Sequence, residues 1–194
     1  HIEQLKVKYS NVIHIKADLT ETFEVFQKAF PFDKASSLKD LTLANTRARL
    51  RMTSLYNIAG MHSALVAGTG NKVEDFGVGF YTKYGDGGVD VSPIADLVKS
   101  EVFAIGAYLG VPSAIQNAAP TDGLFGDSRT DEDQIGASYD ELEVAMTQAD
   151  NGIVAADLEG RSKEVYEIYS RLNHNNQHKM NPIPVCEVSD ALKA

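Results

Sequence analysis

Cysteine, tryptophan and long apolar runs are scarce or missing in this chain of 194 residues. The single cysteine, Cys186, excludes an intrachain disulfide and leaves zinc without a pair of thiolate ligands. No apolar run is long enough to cross a bilayer, and no signal-peptide pattern opens the sequence. We therefore expect a cytoplasmic protein that has no membrane partner.

Positive charge is also in short supply. Lys and Arg total 18 against 27 Asp and Glu, which gives a net charge of −9. An acidic chain repels polyanions, so we expect no nucleic-acid partner. A small phosphorylated ligand is compatible with this balance, because a few lysines or a metal ion can reverse the local charge.

Alternating apolar patterns predict a single α/β domain over residues 1–194. Buried strands are expected at residues 11–18 (NVIHIKAD) and 64–68 (ALVAG). Helices are expected near 19–30, 42–62, 98–109, 138–148 and 161–174, whereas residues 31–40 and 175–184 have loop-like composition. Strands separated by helices favour a parallel sheet. Ligands bind such sheets at the carboxyl ends of the strands, where the glycine-rich residues 68–92 begin.

Several polar patterns could carry chemistry, and each also has a simpler explanation. Arg49 shares a helix face with Asn45 and could bind a carboxylate or phosphate, but the face could equally be solvated. The loop carrying Thr69 and Glu74 could cradle a phosphate with Mg²⁺, or form a plain tight turn. The loop with Lys83 resembles both a ligand contact and a surface β-turn. His174 and His178 have the spacing of metal ligands, but no further zinc ligand accompanies them.

Four blocks together are more specific than any one of these patterns. They are GTGNKVEDFGVGFYTKYGDGGVDVSPIADLVKSEVF, APTDGLF, RTDEDQIGASYDELE and HKMNPIPV. In this order they resemble the ammonia-dependent NAD synthetases, a family of the N-type ATP pyrophosphatases. The resemblance implies a doubly wound parallel sheet flanked by helices (adenine nucleotide alpha-hydrolase-like), a homodimer, and Mg²⁺ with ATP as co-substrate. It also implies amidation of deamido-NAD (nicotinic acid adenine dinucleotide) by ammonia, through an NAD-adenylate with release of pyrophosphate and AMP.

The resemblance assigns roles to individual residues. ATP contacts fall on Thr69, Lys99 and Thr121, and the Mg²⁺ ligand on Glu74. The deamido-NAD contacts fall on Arg49, Lys83, Asp90, His178 and Lys179. We further expect Lys99 to stabilise charge on the departing pyrophosphate and Asp90 to assist deprotonation of ammonium. This chemistry needs no protein nucleophile, in agreement with the absence of a recognisable catalytic triad from the sequence.

One family block has no counterpart in the sequence. The SGG-x-DS pyrophosphate loop, which follows the family's first strand, is missing, and Gly70-Asn71-Lys72 replaces an Asp-His-Ala type of segment. We therefore expect a chain that is incomplete at its N-terminus, lacks the first strand and is inactive by itself. Two alternatives stay open: a catalytically inactive nucleotide-binding fragment, and another N-type ATP pyrophosphatase amidotransferase, such as a GMP-synthetase-like enzyme.

Overall fold

Helices make up most of the computed structural model, which describes residues 1–30, 38–125 and 129–193. They are α1 (Ile2–Lys8), α2 (Thr20–Ala29), α3 (Lys39–His62), a π-helix (Val73–Val78), α4 (Lys99–Tyr108), α5 (Ser113–Gln116), α6 (Asp131–Ile135), α7 (Tyr139–Asp150) and α8 (Gly160–Met180). The helices predicted near 19–30, 42–62, 98–109 and 138–148 are confirmed. Most of the loop expected at 31–40 lies outside the described residues. Across the described ranges, no helix is both long and apolar enough to span a bilayer.

The last long helix extends further than its sequence predicts. Residues 175–180, expected to be irregular, continue α8 as far as Met180. Asn173 donates a hydrogen bond to the carbonyl of Gly77 at 2.7 Å, and Asn176 donates to the carbonyl of Val78 at 2.9 Å. The prediction was wrong because these polar side chains bind backbone carbonyls in the last turn of the π-helix, and this tertiary contact stabilises the final turns of α8.

Parallel strand pairing is limited to one point of the described chain. Ala67 and Val91 form an isolated parallel bridge, and the Gly68 amide donates to the Val91 carbonyl at 2.7 Å. The segment at 11–18 has no regular secondary structure and pairs with no described strand. Its Ile13 and Ile15 are 76% and 47% exposed, so their expected burial is wrong, since no described strand covers them. Beyond the single bridge, the doubly wound sheet stays a prediction.

The main hydrophobic core lies between the π-helix, α7 and α8. It comprises Val73, Val78, Ile135, Ala137, Tyr139, Leu142, Ala145, Met146, Val165 and Tyr169. Leu142 is fully buried, which contributes about 1.5–3 kcal/mol relative to an exposed leucine. This core fixes the π-helix, and thereby the side chains at its outer end, in position.

Candidate active site

A lysine and a glutamate from different elements form the centre of the site. Glu74 is in the first turn of the π-helix and Lys99 opens α4. The Lys99 ammonium donates to Glu74 Oε1 at 2.7 Å, and the side chains are only 18% and 14% exposed. The Tyr139 hydroxyl donates to the same oxygen at 2.6 Å. The structure therefore brings together Lys99, which is expected to contact ATP, and Glu74, the expected Mg²⁺ ligand.

The local turn explains why the Glu74 carboxylate faces Lys99 and Tyr139. Asn71 is buried, and its Oδ1 accepts hydrogen bonds from the amides of Val73 at 3.0 Å and Glu74 at 3.1 Å. An Asn side chain in this position caps the first turn of a helix. The backbone amide of Asn71 in return donates to Glu74 Oε2 at 3.3 Å. The loop after the parallel bridge thus fixes the start of the π-helix and the direction of its glutamate.

The donor set around Glu74 suits Mg²⁺ only when a substrate supplies further oxygens. Carboxylate oxygen is the preferred protein ligand of Mg²⁺, and this ion commonly completes its shell with water and phosphate. Within the ranges that the structure describes, no group of three or more His, Cys, Asp or Glu residues could hold a metal. Glu74 Oε2, with its one long hydrogen bond, is the oxygen best placed to bind an ion.

Acidic residues that sequence reasoning missed surround the pair. Burial, with the nearby charges of Glu74 and Asp86, raises the pKa of Asp75 to about 6. Burial also raises the pKa of Asp86. Asp75 packs so closely against the strand-following loop that a Cβ on Gly70 would lie 2.2 Å from its carboxylate oxygens. This close approach explains why residue 70 is a glycine, because any side chain there would collide with the Asp75 carboxylate.

The residues expected to bind deamido-NAD form a second group, next to the glycine-rich loop. The Arg49 Nε donates to the Lys83 carbonyl at 3.3 Å, and the Lys83 ammonium donates to the His178 carbonyl. Residues from α3, the loop and α8 therefore meet here, although they are far apart in sequence. All three side chains keep polar groups that a ligand could contact.

Lys179 belongs to the same region but has a different task. Its ammonium donates to the carbonyls of Gly79 and Tyr81, each at 2.7 Å. Burial lowers the pKa of Lys179, whereas the charge of Asp86 opposes that shift. The side chain thus attaches the C-terminal turn of α8 to the residues that directly follow the π-helix.

Asp90 is placed at the parallel bridge. Its Oδ2 accepts from the Val66 amide at 2.8 Å and its Oδ1 from the Tyr56 hydroxyl at 3.1 Å. No hydrogen bond between described residues joins Asp90 to the Glu74–Lys99 pair or to the group around Lys83. In this structure its contacts hold α3 against the bridge.

Two cavities lie beside residues of the glycine-rich segment, and of the expected site residues Thr69 lines one and Lys179 the other. One of about 270 Å³ is lined by Thr69, the 85–89 loop and α3. The other, of about 330 Å³, is lined by Asn45, Thr82 and Lys179. Asp86 and Asp122 line both, and so stand between them.

Thr121 directly precedes Asp122, and Asp86 and Asp122 form the wall that the two cavities share. Its Oγ1 donates to the Arg129 carbonyl at 3.2 Å and accepts from the Gly123 amide at 3.3 Å. Glu74, Lys99 and Thr121 line neither cavity, and so the expected ATP residues are only partly brought together. The GDGG and PTD segments were the available sequence signals for Asp86 and Asp122.

Adjoining cavities that share the carboxylates of Asp86 and Asp122 are of a size and polarity typical of sites for small polar molecules. Thr69 follows the parallel bridge, and α/β proteins bind their ligands at the carboxyl ends of parallel strands.

The comparisons with known proteins identify the family. The chain matches the family model described as NAD synthase over residues 2–183, and it therefore belongs to that family. An NH(3)-dependent NAD(+) synthetase of Mesoplasma florum is 45% identical over 132 residues, which are 68% of this chain and 53% of that protein. The same enzyme of Archaeoglobus fulgidus is 41% identical over 160 residues, covering 82% of this chain and 62% of that protein.

A solved structure supports the same assignment. The NMN synthetase from Francisella tularensis has a TM-score of 0.77 and 30% identity, with 96% of this chain and 70% of that chain covered. The described chain therefore shares the fold of the NAD and NMN synthetases. It spans between about half and two thirds of the length of the two curated relatives.

Proposed function

We propose that the protein catalyses ATP-dependent amidation of deamido-NAD by ammonia, which yields NAD, AMP and pyrophosphate. The observation that carries the proposal is the Glu74–Lys99 pair beside the glycine-rich loop, in a chain of the NAD synthase family. A carboxylate resists attack by ammonia because oxide is a poor leaving group. Transfer of adenylate from ATP to the nicotinate carboxylate releases pyrophosphate, and ammonia then displaces AMP.

The residues expected to contact ATP and Mg²⁺ act on the nucleotide. Thr69 and Thr121 supply hydroxyl groups to the nucleotide, while Lys99 stabilises negative charge that develops on pyrophosphate. Glu74 would hold Mg²⁺, which supplies further stabilisation of phosphate charge when bound. The partial burial of Lys99 and Glu74 supports these roles, because electrostatic interactions strengthen away from bulk water.

Residues of the second group act on deamido-NAD. Arg49, Lys83 and His178 offer cationic or polar contacts to the dinucleotide, and Lys179 holds the loop on which they converge. Asp90 is proposed to take a proton from ammonium. Asp86 is a second candidate for that step, because its pKa is raised and it lines both cavities.

The finer architecture is part of the proposal. We expect residues 11–18 and 64–68 to be strands of the doubly wound parallel sheet. A homodimer is supported by α3, which exposes Leu55, Met61 and other apolar residues beyond a single face. A cytoplasmic location accords with the exposed lone Cys186.

Product analysis tests this function directly. The protein is incubated with ATP, Mg²⁺ and ammonium, together with deamido-NAD, nicotinic acid mononucleotide or xanthosine monophosphate in separate reactions. When the protein also carries the SGG-x-DS loop, we expect NAD and AMP in equal amounts, and only from deamido-NAD; residues 1–194 by themselves should form neither product. Product from the mononucleotide would support the activity named for the Francisella relative, and product from xanthosine monophosphate would support a GMP-synthetase-like enzyme.

Matched lysine variants localise the chemistry. Lys99→Met should lower turnover at least about 100-fold, the effect expected when a transition-state donor is lost. Lys163→Met, on the exposed face of α8, should leave turnover unchanged. ATP binding without AMP formation by the unaltered protein would instead favour the inactive nucleotide-binding alternative.

A further inference from the structure

One buried hydroxyl lies between two carboxylates behind the proposed ATP site. Tyr139, at the start of α7, is only 4% exposed. Its hydroxyl lies 2.6 Å from Glu74 Oε1 and 3.3 Å from Asp131 Oδ2. A phenol has a single proton to donate, and the shorter distance assigns that proton to Glu74. Asp131 closes the far side of the hydroxyl.

The aromatic ring of Tyr139 also contacts the partner of Glu74. The Lys99 ammonium lies 4.5 Å from the centre of that ring, which is within the range of a cation–π interaction. One rigid side chain therefore touches both members of the ion pair, the lysine through its ring and the glutamate through its hydroxyl.

The position of this ring is itself firmly determined. Ser138 caps α7 by accepting a hydrogen bond from the Glu141 amide at 3.3 Å. The Tyr139 amide donates to Glu132 Oε1 at 2.9 Å. The ring then packs into the hydrophobic core formed by the π-helix, α7 and α8. Its hydroxyl cannot move far without disturbing that core.

We infer that Tyr139 is a positioning residue, which keeps Glu74 in place when Lys99 turns from the carboxylate to an anionic phosphate. This inference deepens the proposed function and rests on it. Lys99 is paired with Glu74, and contact with an ATP phosphate would draw its ammonium away from that carboxylate. The Tyr139 hydroxyl continues to satisfy Glu74 Oε1 after the lysine departs, while the Asn71 amide continues to contact Oε2.

Tyr139→Phe tests the hydroxyl while it keeps the ring. The dissociation constant of ATP, measured calorimetrically with saturating Mg²⁺ and no dinucleotide, should rise about tenfold, as expected for one hydrogen bond to a charged group. In the amidation assay the KM for ATP should rise by a similar factor, with a smaller change in kcat, because the variant lacks a group that supports binding.

Two other tyrosines provide matched controls. The Tyr166 hydroxyl donates to the Ile153 carbonyl at 2.6 Å, a hydrogen bond of the same length made elsewhere on α8. Tyr169 is buried in the same core as Tyr139. Tyr166→Phe and Tyr169→Phe should bind ATP like the unaltered protein, even where Tyr166→Phe lowers the free energy of unfolding.

Three results would overturn the inference: unchanged ATP binding in Tyr139→Phe, an equal loss in Tyr166→Phe, or an unfolded Tyr139→Phe beside a folded Tyr166→Phe. The last would show that the hydroxyl serves the fold rather than the pair. Failure of the proposed function gives a different pattern. The unaltered protein would then bind ATP and form no NAD, while the loss of ATP binding in Tyr139→Phe would still support the positioning role.

Discussion

Gly79→Ala should be among the most damaging small substitutions in the protein. Gly79 ends the π-helix with φ of +63°, a left-handed conformation that residues with a Cβ adopt at a cost. An added Cβ would lie 2.4 Å from Asn176 Cβ and 2.9 Å from Met180 Cε. The methionine tip can move aside, but the Asn176 Cβ is attached directly to the backbone of α8.

The magnitude follows from two separate costs. The left-handed backbone costs about 1–2 kcal/mol for a non-glycine residue. Forcing the loop and α8 apart adds about 1–3 kcal/mol of overpacking. The expected loss is therefore about 2–5 kcal/mol, a large part of the roughly 5–15 kcal/mol that stabilises a typical domain.

Gly152→Ala is the matched control. Gly152 also has a positive φ, +76°, but an added Cβ there would meet no atom within 4 Å. Urea unfolding followed by far-UV circular dichroism should therefore show only the cost of the left-handed backbone for this variant. If Gly79→Ala and Gly152→Ala lower the free energy of unfolding by amounts that agree within about 0.5 kcal/mol, the close packing of Gly79 against α8 is refuted.

Three further substitutions test other contacts. Lys179→Met leaves two loop carbonyls without their donor and should lower the free energy of unfolding by about 1–3 kcal/mol in urea titrations, whereas Lys163→Met should change it little. Asp90→Ala removes the acceptor that ties α3 to the parallel bridge and should cost about 1 kcal/mol in the same titrations; no change would contradict that role. Arg161 lowers the pKa of Glu141 from its ordinary 4.5 to about 2, so the pair stabilises the fold above pH 4.5 and loses this effect as the pH falls toward 2. Arg161→Met should therefore lower the urea midpoint at neutral pH and lower it less near pH 3, and an equal shift of the midpoint at both pH values would contradict this.

Local chemistry predicted the helices well. Thr130 and Asp133 form a capping box at the start of α6: the Asp133 amide donates to Thr130 Oγ1 at 3.1 Å, and the Thr130 amide donates to Asp133 Oδ2 at 2.9 Å. These bonds span three residues, so the sequence contains all that is needed to anticipate them.

Long-range contacts were predicted less well. Asp131 is an acidic residue in the first turn of α6, where such residues are common, yet it is buried against Tyr139. Asn176 belongs to a segment with loop-like composition, and only the folded π-helix shows that it and Asn173 bind backbone carbonyls. Family resemblance predicted Glu74 and Lys99, because no local pattern indicates that residues 25 positions apart will pair.

The shared wall of Asp86 and Asp122 has a thermodynamic consequence. Occupants of the two cavities would meet the same pair of carboxylates from opposite sides, and each would alter the charge felt by the other. Linkage requires such an influence to be reciprocal: whatever the first occupant contributes to retention of the second, the second returns in equal measure. The two compartments would therefore fill as a coupled system, and their affinities measured one at a time would not sum to the affinity of the pair.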